Sequence, residues 1–77
     1  MLGEAADVTI PVKHRPFSVT NDEQAARLIL MYAKQYADYD QLILEHYTRG
    51  GREVWWLHIS CRIDYRKNRR QILEIGD

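Results

Sequence analysis

The sequence predicts a small α+β domain in which one helix packs on a small, mostly antiparallel sheet of three or four strands. Three observations predict this fold. One segment carries apolar side chains at helical spacing. Two later segments, rich in β-branched and aromatic residues, flank a pair of glycines in the manner of a β-hairpin. Short β-prone stretches before the helix and after the hairpin can extend the sheet.

Length and composition limit the chain to a single small domain, residues 1–77. A domain near this size buries only roughly 60% of its unfolded surface, so its stability margin is small. Eleven basic and eleven acidic residues cancel, which argues against nucleic acid as the partner. There is no membrane-length apolar run and no export signal, and a lone Cys61 cannot form an intramolecular disulfide. We therefore expect a cytoplasmic protein without membrane association.

The first half of the chain predicts two short extended stretches and one helix. Residues 8–10 and 17–19 are the extended stretches. The helix is expected over residues 21–37, started by a capping box in which Thr20 and Glu23 satisfy the first backbone N–H groups. The side chains expected to face the core recur at helical spacing: Ala25, Leu28, Ile29, Tyr32 and Tyr36.

The second half predicts a hairpin of residues 39–47 and 54–61, then a charged loop and a last strand over 71–75. If the hairpin is centred between Gly51 and Arg52, Glu45 lies directly opposite His58, with Cβ atoms about 5 Å apart. A carboxylate beside an imidazole suits a general base next to a metal ligand, and it equally suits a simple ion pair. The alternation of side chains along the strands does not distinguish a metal site from an ion pair.

Four segments carry a resemblance to a known family, in the family's order. Residues 1–7, MLGEAAD, look like the end of the pattern S-x-H-x-x-G-x-A-x-D. Residues 40–45, DQLILE, and 56–60, WLHIS, are similar to D-Q-L-I-x-E and W-x-H-x-S. Residues 68–73, NRRQIL, resemble a closing segment. These motifs are those of zinc peptidases of the D-Ala-D-Ala carboxypeptidase family, which includes phage endolysin peptidases.

The resemblance implies the second half of that peptidase fold, acting on peptidoglycan peptides. Asp7 and His58 would be zinc ligands, and Glu45 would be the base that activates water at the metal. Trp56, Gln41 and Ser60 lie on the same strand faces and are expected to line the substrate cleft.

The chain also departs from the family. The family's first zinc histidine would stand immediately before Met1, and a catalytic zinc site normally has three protein ligands. His14, His46 or a ligand from a partner chain are alternatives for the third position. We therefore expect a truncated relative of such a peptidase, weakly active or inactive alone, in which zinc can have been lost. Whether the chain is an enzyme stays open.

A second hypothesis is a phage- or prophage-type binding or inhibitor protein that reuses the peptidase scaffold to dock a protein partner. Half of a fold leaves an uncovered sheet edge or apolar patch, which favours homo-oligomers or complexes. Glu53 is a rival to Glu45 as the base. The residues expected to contact a partner are those of the basic loop: Arg66, Lys67, Arg69 and Arg70.

Overall fold

The computed structural model describes residues 3–76 and confirms the α+β class: one α-helix packs on a four-stranded mixed sheet. No helix in this range is long and apolar enough to span a bilayer. Two short 3₁₀ turns, at Val12–His14 and Tyr65–Lys67, lie in the connections. In chain order, the main elements are β1 (Gly3–Val8), α1 (Asp22–Tyr36), β2 (Gln41–Arg49), β3 (Arg52–Arg62) and β4 (Gln71–Gly76).

The sheet has the strand order β1-β3-β2-β4. β3 runs antiparallel to both of its neighbours, β1 and β2. β4 runs parallel to β2. After β3 the chain reverses direction and crosses over β2, so β4 pairs with the far edge of β2 rather than with β3. The sheet is therefore mostly antiparallel, as the sequence predicts, with one parallel pair at its edge.

The two short extended stretches are placed differently from the prediction. The first strand ends at Val8, so that it covers residues 3–8 rather than 8–10. The stretch at residues 17–19 is not a strand, because the Val19 N–H donates to the Pro16 carbonyl oxygen at 2.9 Å and closes a turn. Phe17 lies on this turn and is fully exposed.

The N-cap of the helix lies one residue later in the sequence than predicted. Asn21, not Thr20, is the N-cap, and its Oδ1 accepts a hydrogen bond from the Gln24 N–H at 2.8 Å. The Gln24 side chain in turn accepts from the Thr20 N–H at 2.6 Å. Glu23 instead pairs with Arg27 one turn later, at 2.8 Å. Asparagine is at least as favourable as threonine at an N-cap, so Asn21 occupies this position in place of Thr20.

The face of α1 that meets the sheet consists of small residues. Ala25, Ala26 and Ala33 are buried, whereas Tyr32 and Tyr36, predicted to face the core, are 56% and 75% exposed. The prediction was wrong for both tyrosines because the alanine stripe lets the helix backbone approach the sheet closely. The sheet supplies the large side chains of the core: Leu42, Leu44, Trp55 and Leu57.

The hairpin turn fixes the register of β2 and β3. Gly50 and Gly51 have φ of +57° and +77°, and they form a two-residue turn that needs positive φ at both positions. The hairpin is therefore centred between the two glycines, so Glu45 pairs with Trp56 and not with His58. The predicted register was wrong by two positions along one strand. Because side chains alternate with a period of two, Glu45 and His58 still share a face, as diagonal neighbours.

Candidate metal centre

The sheet face opposite α1, called the open face below, has no element packed against it in residues 3–76. The strand registers order its side chains into rows that run across the strands. The first row is Ala5, Ser60, Gln41 and Gln71; the second is Asp7, His58, Ile43 and Leu73; the third is Trp56, Glu45 and Ile75.

Three of these side chains meet at the centre of the open face. Asp7 on β1 is the direct partner of His58 on β3, and Asp7 Oδ1 lies 2.9 Å from His58 Nδ1. Glu45 on β2 approaches from the other side, with Oε1 3.9 Å from the same nitrogen. We call these residues the Asp7–Glu45–His58 cluster. Its three ligand atoms all lie within 4.8 Å of one another.

Each member of the cluster comes from a different strand, so the pairing of three strands creates it. The hairpin brings Glu45 near His58, and the antiparallel pairing of β1 with β3 adds Asp7. The exposed fractions of the side chains are 61% for Asp7, 28% for His58 and 21% for Glu45. A ligand can therefore reach the cluster from solvent without movement of the backbone.

The donor set fits a zinc ion. Zinc binds imidazole nitrogen and carboxylate oxygen at about 2.0–2.2 Å, so two ligand atoms of a tetrahedral site lie about 3.4 Å apart. The distances from His58 Nδ1 to Asp7 Oδ1 and to Glu45 Oε1, 2.9 Å and 3.9 Å, lie on either side of that value. In the part of the chain that the structure describes, no other group of three histidine, cysteine or acidic residues is as close.

The two alternative histidines do not join the cluster. His46 lies on the helix side of the sheet, where its ring stacks on Trp55 with centroids 4.0 Å apart. Its Nε2 lies 3.4 Å from Glu74. His14 is exposed in the first 3₁₀ turn. Glu53, the rival base, accepts a hydrogen bond from the Trp55 indole and belongs to the helix side too.

The predicted cleft residues lie on the open face beside the cluster. Ser60 Oγ accepts a hydrogen bond from the Gln41 N–H at 3.2 Å, and Gln41 Nε2 donates to Gln71 Oε1 at 2.7 Å. Trp56 stands on the opposite side of the cluster and packs against Tyr47, with ring centroids 5.4 Å apart. The Trp56 indole N–H is buried without a hydrogen-bond partner among residues 3–76. The cluster thus has a polar row on one side and an aromatic pair on the other.

The basic loop is anchored by an acid that the sequence analysis did not single out as a site residue. Asp40, 6% exposed, accepts three hydrogen bonds from Arg69, from its backbone N–H and from two guanidinium nitrogens, at 2.9–3.0 Å. These bonds hold the pKa of the Asp40 carboxyl well below its usual range, and they raise the pKa of Arg69. Arg62 Nε also lies 3.2 Å from Asp40. Asp40 therefore attaches the basic loop to the start of β2.

The four loop residues predicted to contact a partner have different environments. Arg70 lies over the Tyr39 ring at 4.4 Å, and its guanidinium is 3.3–3.4 Å from carbonyl oxygens at the end of α1. The side chains of Arg69 and Arg70 thus make contacts within the domain. Within residues 3–76, Arg66 forms an ion pair only with Asp64, at 3.1 Å, and Lys67 is exposed, so these two are the loop side chains most accessible to a partner.

Comparison with known proteins finds no match among protein-family models, curated proteins or solved structures.

Proposed function

We propose that the Asp7–Glu45–His58 cluster is a zinc centre of the peptidase type, in a truncated relative of the D,D-carboxypeptidase and endolysin peptidases. The observation that carries the proposal is the convergence of three potential ligand atoms, from three strands, within 4.8 Å. The motif resemblance supports it independently, since it assigns metal chemistry to the same three residues.

His58 Nδ1 and Asp7 Oδ1 would hold the ion, and Glu45 would be the base. Bound zinc supplies a Lewis acid and lowers the pKa of water to about 7. The task of Glu45 is to accept a proton from the attacking water at its carboxylate and to pass it to the leaving amine of a peptide. Asp7 Oδ1 and His58 Nδ1 are 2.9 Å apart, so the two atoms would face one ion together, and the Trp56–Tyr47 pair borders the site on its aromatic side. Peptidoglycan peptides are the proposed substrates, on the strength of the resemblance.

Zinc binding tests the centre directly. We expect about one zinc per chain by elemental analysis after dialysis, with affinity measured by competition against a chromophoric chelator. His58→Ala and Asp7→Asn should each lower the affinity by more than the roughly 10- to 100-fold that loss of an outer-shell partner produces. His14→Ala is the matched control, because it removes an exposed imidazole that is not part of the cluster and should leave the zinc affinity unchanged.

Glu45→Gln separates the role of base from that of ligand. If Glu45 is the base, the variant keeps zinc but loses any hydrolysis of peptides that end in D-Ala-D-Ala. Zinc far below stoichiometric in the wild type, or affinity unchanged by His58→Ala, would contradict the metal centre.

A second candidate function, a protein-binding module on the same scaffold, is favoured by the outer side of α1. Met31 and Tyr32 are each 56% exposed, and Tyr36 is 75% exposed and stacks on Tyr32 with centroids 6.2 Å apart. An apolar stripe of this kind is typical of interaction surfaces. Zinc binding without any hydrolysis, together with an oligomeric state that changes in Tyr32→Ser, would favour this function over the peptidase.

A further inference from the structure

One end of the open face gathers positive charge next to a cavity. Beyond Ser60, the next residue of β3 with the same alternation is Arg62, whose side chain is 40% exposed. A cavity of about 420 Å³ lies here, lined by Arg62, Ser60, Gln41 and Ala5 and also by the acidic residues Glu4 and Asp40. A second cavity of about 320 Å³ adjoins Arg62 on the side of Lys67. Arg62 thus borders both spaces.

The charges at this end leave Arg62 available for an anion. Asp40 is its only ion-pair partner among residues 3–76, and Asp40 is already held by three hydrogen bonds from Arg69. In the same way, Arg66 pairs with Asp64 at 3.1 Å.

With those acids neutralised, Arg62 and Lys67 remain against the single carboxylate of Glu4, an excess of one positive charge. Ser60 adds a neutral donor, because in the described part of the chain its hydroxyl only accepts, from the Gln41 N–H, and its own proton is left to donate. A guanidinium together with a hydroxyl donor matches the hydrogen-bonding needs of a carboxylate.

The spacing relates this end to the Asp7–Glu45–His58 cluster. Ser60 and Arg62 follow His58 by two and four residues along β3, which corresponds to about 7 and 14 Å at the rise of a strand. An extended peptide advances about 3.3–3.6 Å per residue, so this distance corresponds to two to four peptide residues.

We propose that Arg62, Lys67 and Ser60 form a carboxylate-binding subsite that recognises an acidic group two to four residues from the peptide bond held at the cluster. The position of the bond rests on the proposed function. The carboxylate itself has two sources, a peptide C-terminus and an acidic side chain, and both present the same chemistry to Arg62.

The test compares three acetylated hexa-alanine probes: the free acid, the C-terminal amide, and an amide in which the fourth alanine is replaced by glutamate. Binding is followed by NMR titration of isotope-labelled protein, with and without zinc. We expect the free acid, the glutamate probe or both to bind about tenfold more tightly than the neutral amide, the effect of one charge-assisted hydrogen bond. Which acidic probe is preferred identifies the source of the carboxylate.

Arg62→Gln should abolish the preference for acidic probes while leaving the weaker binding of the neutral amide. Lys67→Gln, which removes an exposed charge without disturbing Asp40, should reduce the preference and guards against a folding defect in the first variant. Arg49→Gln is the control, because Arg49 lies at the other end of the open face, 5.9 Å from the Trp56 ring centroid. Equal binding of the three probes, or none, overturns the subsite. The zinc titration is unaffected by that result, so failure of the metal centre is detected separately.

Discussion

The two faces of the sheet are built from alternate residues of the same strands, and they differ in what surrounds each side chain. On β3, Leu57 is fully buried beneath α1, whereas the next residue, His58, lies between two carboxylates on the open face. On β2, Leu44 and Glu45 repeat the contrast. The helix side is apolar and packed. The open face keeps like charges close together, an arrangement that a bound cation relieves.

Within one strand, the side chains that stabilise the fold are therefore different from those of the candidate site. Burial of apolar side chains on the helix side stabilises the fold. The contact of His58 with Asp7 is partly exposed, and polar contacts of this kind contribute little, about 0–1 kcal/mol. The cluster is therefore not needed to hold the sheet together, and its residues can be replaced to test function while the fold remains.

The largest expected effect on stability comes from the helix side. Leu57→Ala should lower the free energy of unfolding by about 2–5 kcal/mol, because it leaves a cavity at a position with no exposure. His58→Ala, the adjacent residue, should change it by less than about 1 kcal/mol. Urea denaturation of both variants measures the difference. Comparable losses of unfolding free energy in Leu57→Ala and His58→Ala would contradict the conclusion that the helix side, and not the open face, stabilises the fold.

A second expectation concerns Asp40, the buried acid at the end of the sheet. Hydrogen bonds from Arg69 depress its pKa in the folded state, so its contribution to stability is fully present above the unfolded pKa of about 4. The contribution is lost as the pH falls towards the lower folded-state pKa. The stability advantage of the wild type over Asp40→Asn should therefore shrink between pH 5 and the acid limit of folding. Urea titrations across that range measure it, and a constant gap would contradict the assigned role.

The smallest effect is expected on the outer side of α1. Tyr36→Ser should change the free energy of unfolding by less than about 0.5 kcal/mol, because the ring is 75% exposed. Thermal denaturation at two protein concentrations provides the measurement. A large, concentration-dependent loss would show that Tyr36 is covered by a second copy in solution, and it would sharpen the case for a protein-binding module.

Much of the candidate site could be predicted because the strand pattern is local. Alternation alone places Trp56, His58 and Ser60 on one side of β3, and Leu57 and Ile59 on the other. An error of two residues in the hairpin register left Glu45 and His58 on the same face. The motif resemblance singled out Asp7, which no local pattern connects to β3. Its metal-binding role remains a prediction.

Other features could not be read from the chain in advance. Tyr32 and Tyr36 fit a helical apolar stripe as well as the buried alanines do, and only the distance between helix and sheet decides which set is covered. The sequence predicts the residues of the basic loop as contacts for a partner. Asp40, remote from Arg69 in sequence, turns part of that loop into a structural anchor.

By itself, the sequence determined the α+β class, the position of the helix, the hairpin and the division of each strand into two faces. These features follow from periodicity, caps and turn residues, which act over a few positions. Only the tertiary structure decided the strand order, the parallel pairing of β4, the contact of Asp7 with His58 and the approach of Arg62 to Asp40. These features depend on contacts between residues up to 59 positions apart in the sequence, so they form only when the whole chain packs.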